Sequence, residues 1–188
     1  MNKRGWIEVV CGPMFAGKSE ELIRRVRRLG FAKKKFIVFK PTIDNRYSEN
    51  EVVSHDKRSL KSINISHSSE VSKYINNELD AVIFDEVQFL DNGIIDVIEE
   101  LADKGIRVIC GGLDMDFKGE PFPIVANLLA RAEKIDKLTA ICVVCGEPAT
   151  RSQRLINGIP ASKDDEIISI GGKESYEPRC RKCHKVAK

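Results

Sequence analysis

Residues 7–19, IEVVCGPMFAGKS, decide the fold, because a short apolar run leads directly into a glycine-rich motif. The run Ile7 to Cys11 is typical of a buried strand. Gly12 to Ser19 match the pattern G-x-x-x-x-G-K-[ST], which is typical of a phosphate-binding loop between a strand and a helix. With an amphipathic helical pattern after it, this P-loop predicts an α/β nucleotide-binding fold.

Each fixed position of the P-loop has a chemical reason. The glycines allow backbone N–H groups to point at phosphates, and Lys18 brings a cation to the β- and γ-phosphates. Ser19 offers a hydroxyl to Mg²⁺ while starting a helix whose positive dipole end faces the anion. The residues expected to contact the nucleotide are Gly12, Pro13, Met14, Phe15, Ala16, Gly17, Lys18 and Ser19.

Apolar runs farther along the chain alternate with helical patterns, which indicates a parallel sheet covered on both faces. The predicted strands are 7–11, 36–39, 63–65, 81–84, 106–110 and 138–143. The predicted helices are 19–29, 70–76 (capped by Ser68 or Ser69), 94–101 and 124–132. Residues 41–62 are polar and are predicted to form a long loop of the kind that carries function.

An acidic pair follows the most apolar of these strands, AVIF at residues 81–84. Asp85 is placed to reach Mg²⁺ from the side opposite the P-loop. Glu86 then faces the γ-phosphate or the group that attacks it. Two chemistries suit this carboxylate: it activates water for hydrolysis, or it accepts a proton from a substrate hydroxyl. The motif alone does not choose between hydrolysis and phosphoryl transfer.

Four of the six cysteines form two C-x-x-C pairs near the C-terminus, Cys142 with Cys145 and Cys180 with Cys183. Such a set supplies the tetrahedral sulfur ligands that structural Zn²⁺ prefers. His184 is an alternative ligand that four cysteines make unnecessary. The other two cysteines lie in apolar runs and are expected to be free buried thiols. The 34 residues between the pairs are expected to lack an apolar core and to form a lid that excludes water from the substrate.

Composition bounds the class of protein. The chain has 188 residues, of which 42 % are apolar and 31 % charged, with a net charge of +3, so neither a disordered chain nor a bulk nucleic-acid binder is expected. Without a signal-peptide pattern or an apolar run of membrane-spanning length, we expect a cytoplasmic protein with no membrane partner. A change in composition after Val144 predicts a P-loop domain at 1–140 and a zinc-binding domain at 141–188.

Seven segments in order resemble one known family, the compact, tetrameric, zinc-containing type of thymidine kinase. The resemblance covers essentially the whole chain, and it is much more specific than the P-loop alone. The segments are GPMFAGKS (12–19), KPTIDNRYS (40–48), SHD (54–56), DEVQF (85–89), GLDMDFKGEPF (112–122), KLTAICVVCG (137–146) and IGGKESYEPRCRKC (170–183).

The resemblance implies a RecA-like P-loop domain with a small zinc-binding lasso. It also implies transfer of the γ-phosphoryl group of ATP to the 5′-hydroxyl of thymidine or deoxyuridine, with Mg²⁺, in pyrimidine deoxynucleotide salvage for DNA synthesis. Glu86 falls at the position of the family's catalytic base, which favours transfer over hydrolysis. Asp44 and Arg46 match positions near the metal and phosphates, where Arg46 stabilises the transferring group, and Gln88 falls among the nucleotide-binding positions. A homotetramer and feedback inhibition by thymidine triphosphate are further implications.

The resemblance also implies how the nucleoside is bound. Met14, Leu113, Phe117 and Phe122 match positions that line the nucleoside pocket. The backbone of the lasso then hydrogen-bonds the base, and a tyrosine packs at the sugar or base. In this chain those lasso residues are Ser169, Ile170, Gly171 and Tyr176. The segment after Cys145 departs from the family pattern, so Thr150 and Arg151 receive no role.

Two other functions are compatible with parts of the sequence. A RecA-like ATPase acting on nucleic acid would use the zinc module as a grip and would be stimulated by DNA or RNA. The arginine-rich helix at residues 24–28 is the feature that favours this alternative, although a solvated or subunit-facing helix surface explains it more simply. A non-catalytic nucleotide-binding module is the second alternative, although such a module has no use for Glu86 beside Asp85. Taken alone, Phe117 and Phe122 would be ordinary core residues, and only the resemblance assigns them to a pocket.

Overall fold

A computed structural model describes residues 4–42, 51–53, 59–167 and 174–187. Its strands are β1 (Trp6–Cys11), β2 (Phe36–Pro41), β3 (Glu51–Val53), β4 (Ser59–Lys61), β5 (Ile63–Ile65), β6 (Ala81–Phe84), β7 (Arg107–Gly112), β8 (Lys134–Lys137), β9 (Ala140–Ile141), β10 (Pro148–Ala149), β11 (Arg151–Ile156), β12 (Ile159–Pro160) and β13 (Glu174–Arg179). Its α-helices are α1 (Lys18–Phe31), α2 (Ile94–Asp103) and α3 (Pro123–Arg131), and two 3₁₀ helices span Ser68–Tyr74 and Val87–Phe89.

In the described part of the chain, six strands form one parallel sheet in the order β5-β2-β6-β7-β1-β8. The P-loop follows β1 and the acidic pair follows β6, and only β7 lies between these two strands in the sheet. The carboxyl ends of parallel strands share one edge of a sheet, so the loops after β1, β6 and β7 converge there. The predicted fold class, a RecA-like α/β domain with a cysteine-bearing C-terminal module, is confirmed.

The two faces of the sheet are covered by different helices. Leu22, Val26 and Leu29 of α1 pack against alternate residues of the central strands on one face. Helices α2 and α3 pack on the opposite face, where the larger core cluster lies. Their apolar residues recur at helical spacing, so each helix buries one stripe against the sheet. No helix within the described ranges is long and apolar enough to cross a membrane.

The prediction of a last sheet strand at 138–143 was wrong. The last strand of the parallel sheet is β8, whose sequence KIDK is charged, and it pairs with β1. An edge strand is half solvated and tolerates charges, which is why hydropathy did not reveal it. Within the predicted span, only β9 is a strand, and it pairs with β10 outside the main sheet.

Two local predictions are also corrected. The expected loop at 41–62 contains an antiparallel pair, β3 with β4. The weak helix expected at 70–76 is the 3₁₀ helix Ser68–Tyr74, and His67, rather than a serine, caps it. His67 Nδ1 accepts a hydrogen bond from Ser69 N at 3.3 Å, and Glu70 Oε1 accepts one from His67 N at 3.0 Å, so the pair forms a capping box.

The segment between the cysteine pairs was expected to lack a core, and this prediction was wrong. Strands β12, β11 and β13 form an antiparallel sheet, and the middle of β11 is buried. Gln153 satisfies its buried amide by donating to Lys185 O at 2.7 Å and accepting from Lys185 N at 2.8 Å. The sheet is therefore stabilised by polar contacts with the chain's end as well as by apolar burial. The division into domains at residue 140 stays a prediction.

Candidate active site

A cavity of about 420 Å³ opens at the carboxyl edge of the parallel sheet. The loops after β1, β6 and β7 form its walls, and the C-terminal sheet contributes one side. Charged groups and aromatic rings therefore face the same space. The lining residues are Met14, Phe15, Gly17, Lys18, Ser19, Glu20, Lys40, Glu86, Phe89, Leu113, Met115, Asp116, Phe117, Phe122, Ser152, Ile167 and Tyr176.

The P-loop backbone requires its first glycine. Gly12 has a φ of +146°, and a Cβ there would lie 2.5 Å from Leu138 O. At the other end of the loop Gly17 adopts the left-handed conformation, with a φ of 83°, and caps the N-terminus of α1. Lys18 Nζ donates to Pro13 O at 2.7 Å, so the ammonium is held within the loop. Burial lowers the pKa of Lys18, while the nearby Glu86 and Asp85 charges oppose that shift.

The two residues of the acidic pair after β6 have different surroundings: Asp85 is buried, and Glu86 lines the cavity. Asp85 is 5 % exposed, and its Oδ1 accepts a hydrogen bond from Glu86 N at 3.0 Å. Burial raises the pKa of Asp85 to about 7, and the charge of Glu86 acts in the same direction. Glu86 has a φ of 53°, in the left-handed region that non-glycine residues rarely adopt, and its side chain lines the cavity.

The aromatic walls of the cavity are held by contacts with neighbouring rings and polar groups. Phe122 meets Phe89 edge to face, with ring centroids 5.9 Å apart. Phe117 lies beneath the guanidinium of Arg154 at 5.0 Å, and its carbonyl oxygen is 2.8 Å from His184 Nε2. A flat, largely apolar ring with polar edge groups suits such a pocket.

The four paired cysteines form one cluster. The sulfur atoms of Cys142, Cys145, Cys180 and Cys183 all lie within 4.8 Å of one another. Cys145 Sγ and Cys180 Sγ are 3.6 Å apart, too far for a disulfide and close to the spacing of two thiolates on one tetrahedral Zn²⁺. The four thiols are free, so the donor set fits a closed structural zinc site.

A family model described as thymidine kinase matches residues 5–184, nearly the whole chain. The chain belongs to the thymidine kinase family. It is therefore a kinase that phosphorylates thymidine, and its substrate is a nucleoside. The chain is also similar to the flagellar accessory protein FlaH from Methanocaldococcus jannaschii, over 78 % of this chain and 76 % of that one, with a TM-score of 0.50 and 13 % sequence identity. At this identity the likeness concerns the fold alone.

The cavity of this thymidine kinase brings together many residues that the sequence singled out. Those that line it are Met14, Phe15, Gly17, Lys18, Ser19, Glu86, Leu113, Phe117, Phe122 and Tyr176. Gly12, Pro13, Ala16, Asp85 and Gln88 are not among the described residues that line it, although each lies in a segment that borders it. Asp44, Arg46, Ser169, Ile170 and Gly171 lie outside the described residues. The catalytic and binding roles of all these residues stay predictions.

Sequence reasoning missed several residues that line the kinase cavity. Lys40 lies at the end of β2, and its charge lowers the pKa of the neighbouring Asp85. Asp116 is buried, and its Oδ1 accepts from Lys118 N at 2.8 Å and Glu120 N at 3.0 Å, which shapes the loop after β7. Both residues lie inside segments that carry the family resemblance. Membership of those segments was the one sequence feature that could have identified them as site residues. The other missed residues are Glu20, Phe89, Met115, Ser152 and Ile167.

Proposed function

We propose that this kinase uses ATP as its phosphoryl donor and that Glu86 and the P-loop carry the transfer. The 5′-oxygen of thymidine, or of deoxyuridine, forms the new bond to the γ-phosphorus. The bond to the β,γ-bridging oxygen breaks, and the hydroxyl proton passes to Glu86. The products are the nucleoside monophosphate and ADP. The observation that carries this proposal is that Lys18 and Glu86 line the same cavity as Phe117 and Phe122.

Each group in the cavity has a chemical task under this proposal. Lys18 stabilises negative charge on the β- and γ-phosphates, together with backbone N–H groups of the P-loop. Glu86 accepts a proton from a weakly nucleophilic hydroxyl late in the reaction. Phe117 and Phe122 hold the thymine ring between apolar faces, with Met14 and Leu113 as further wall residues. In this arrangement phosphate chemistry and base recognition share one cavity.

The donor groups beside the P-loop fit a hard divalent cation. A hydroxyl from Ser19 and a carboxylate from Asp85 are oxygen ligands of the type that Mg²⁺ prefers, and we assign Asp44 and Gln88 to the same nucleotide site by family resemblance. When bound, Mg²⁺ supplies positive charge to the phosphate oxygens. Burial raises the pKa of the Asp85 carboxyl to about 7, and a neighbouring cation would favour its ionised form.

The remaining parts of the proposal rest on the family resemblance. Arg46 stabilises the transferring group, and the backbone of residues 169–171 hydrogen-bonds the base beside Tyr176. Zn²⁺ is structural, since four thiolates leave no open ligand position. We also propose a cytoplasmic homotetramer in deoxynucleotide salvage for DNA synthesis, inhibited by thymidine triphosphate, with neither nucleic acid nor membrane as a partner.

Radiolabelled thymidine with Mg-ATP tests the proposal directly, and labelled thymidine monophosphate is the expected product. Glu86→Gln should lower kcat by about 10²- to 10⁴-fold, because the carboxylate that takes the proton is lost, and ATP binding should remain. Glu120→Gln is the matched control, because Glu120 is exposed and does not line the cavity among the described residues. Full activity of Glu86→Gln would remove Glu86 from its role. ATP turnover that needs DNA and no nucleoside would favour the ATPase alternative.

A further inference from the structure

Gln88 makes a hydrogen bond with each end of its side-chain amide. Its Nε2 donates to Glu86 Oε2 at 2.5 Å, and its Oε1 accepts from Leu113 N at 3.1 Å. The backbone N–H can only donate, so the bond from Leu113 fixes which end of the amide faces Glu86. The orientation of the amide is therefore determined by the fold, and its N–H is aimed at the carboxylate.

The surroundings of Gln88 hold this amide in place. Gln88 is 7 % exposed and lies in the 3₁₀ helix directly after Glu86. On its other side is Gly112, the last residue of β7, where an added Cβ would lie 2.6 Å from Gln88 Oε1. The side chain thus fits between the acidic pair and the end of β7 with no room to swing toward that strand.

We propose that Gln88 is a positioning residue, which fixes the carboxylate of Glu86 at the angle needed to meet the substrate hydroxyl. This role rests on the proposed function of Glu86 as the base. A glutamate side chain has three rotatable bonds, and the left-handed backbone of Glu86 sets only where that side chain begins. The bond from Gln88 restrains the far end of the side chain, which is the reacting end.

The same amide connects the base to the nucleoside side of the cavity. Leu113, which donates to Gln88, itself lines the cavity beside Phe117. The carboxylate and the apolar wall are therefore held to one another through a single rigid amide. Correct geometry between a base and a bound hydroxyl is worth orders of magnitude in rate, and a misplacement of about 1 Å can cost about 10²-fold. Gln88 is expected to act on kcat through this geometry.

Gln88→Met tests the proposal, because methionine fills similar volume without either hydrogen bond. We expect kcat to fall by about 10- to 100-fold, the loss expected for one charge-assisted hydrogen bond, with the KM for thymidine changed by less than about 3-fold. The same substitution in the Glu86→Gln background should produce no further fall in kcat, since the group that Gln88 positions has already been replaced. Gln88→Glu is the second variant; it keeps an acceptor for Leu113 N and removes the donor to Glu86, and it should lower kcat at least as much.

Gln153→Met is the matched control, because Gln153 is another buried glutamine whose amide is bonded at both ends, away from Glu86. It should lower the thermal midpoint and leave kcat within about 3-fold, with assays run well below each variant's midpoint. The positioning role is overturned if Gln88→Met lowers kcat equally in both backgrounds, or raises KM with kcat unchanged. Full activity of Glu86→Gln would instead show that Glu86 is not the base. Failure of the proposed function and failure of the positioning role therefore give different results.

Discussion

The backbone N–H of Met14, inside the P-loop, donates a hydrogen bond to Ser152 Oγ at 3.0 Å. Ser152 lies on β11 of the C-terminal sheet and is 3 % exposed, so this bond joins the phosphate loop to the C-terminal module at the wall of the cavity. A second contact lies nearby, where Ala16 of the P-loop packs against the small apolar cluster around Cys142. The C-terminal module therefore contacts the phosphate loop directly and supports it.

Ser152→Ala should loosen the P-loop, because Met14 N loses the buried hydroxyl that accepts its hydrogen bond. We expect the free energy of unfolding to fall by about 1–2 kcal/mol and the KM for ATP to rise. Ser162→Ala is the control, since the Ser162 hydroxyl accepts from Asp164 N at 3.2 Å in an exposed turn of the same module. Denaturant unfolding and steady-state kinetics measure both effects, and equal behaviour of the two variants would remove the link to the P-loop.

Asp85 should make the ligand-free protein less stable as the pH rises. Burial raises the pKa of its folded-state carboxyl to about 7, above the ~3.9 of an unfolded chain. Between about pH 4 and pH 7 the folded state therefore binds more protons than the unfolded state, so the free energy of unfolding falls across that window.

Asp85→Asn keeps the acceptor for Glu86 N and removes the buried charge. We expect it to be more stable than the parent by roughly 1–3 kcal/mol near pH 8 and nearly equal near pH 4.5, with the gain levelling off above about pH 7. Chemical denaturation in Mg²⁺-free buffer at several pH values gives the comparison. A gain that is the same at both ends of the range would show that Asp85 is ionised throughout.

The sequence predicts a strand or helix well when the pattern that defines it lies within the segment itself, and poorly when its partners come from elsewhere in the chain. The P-loop and the strand before Asp85 are evident because continuous apolar runs border a fixed chemical motif. Strand β8 was missed because KIDK carries charges, and only its pairing with β1 makes it a strand. Strand β11, with the sequence RSQRLI, was missed because the partners of its buried Gln153 and Arg154 come from distant segments.

The candidate site shows the same limit. Lys18, Asp85 and Glu86 follow from the residues alone, because phosphate chemistry requires cations and carboxylates at fixed places. Phe117 and Phe122 do not, because an aromatic residue in a pocket and one in a core have the same local sequence. The family resemblance placed them in the pocket. Neither approach revealed the contacts of the Gln88 amide, because its bond from Leu113 N joins two loops that meet only in the folded chain.

Arg25 should be far more important to stability than its neighbour Arg24. Arg25 is 3 % exposed and forms ion pairs with Glu8, with Glu21 at 2.8 Å and with Asp136 at 2.5 Å. Arg25→Met leaves the buried Glu8 carboxylate with Arg107 at 2.7 Å and Trp6 Nε1 at 2.6 Å, and we expect a loss of about 3 kcal/mol. Arg24→Met should give no measurable change, because its side chain is 60 % exposed. Urea unfolding of the two variants compares them; equal stabilities would show that the buried network contributes nothing net.

Removal of the metal should disturb both the P-loop and the loop that carries Phe117. The cysteine cluster packs against Ala16 of the P-loop, and His184, directly after Cys183, contacts the carbonyl of Phe117, which lines the cavity. A chelator strong enough to remove Zn²⁺ should therefore lower the thermal midpoint and raise the KM for ATP as well as for thymidine, and added Zn²⁺ should restore both.

Thiol labelling provides the matching structural measurement. Chelation should make the four clustered thiols reactive, while Cys11 and Cys110 stay protected in the core, where burial raises the pKa of Cys11 to about 11 and that of Cys110 further. Cys110→Ala is the control variant; it should retain one zinc per chain and the same response to chelator, because Cys110 lies outside the cluster. A metal-free protein that keeps its KM for ATP and loses only thymidine binding would show that the cluster acts through Phe117 alone and does not support the P-loop.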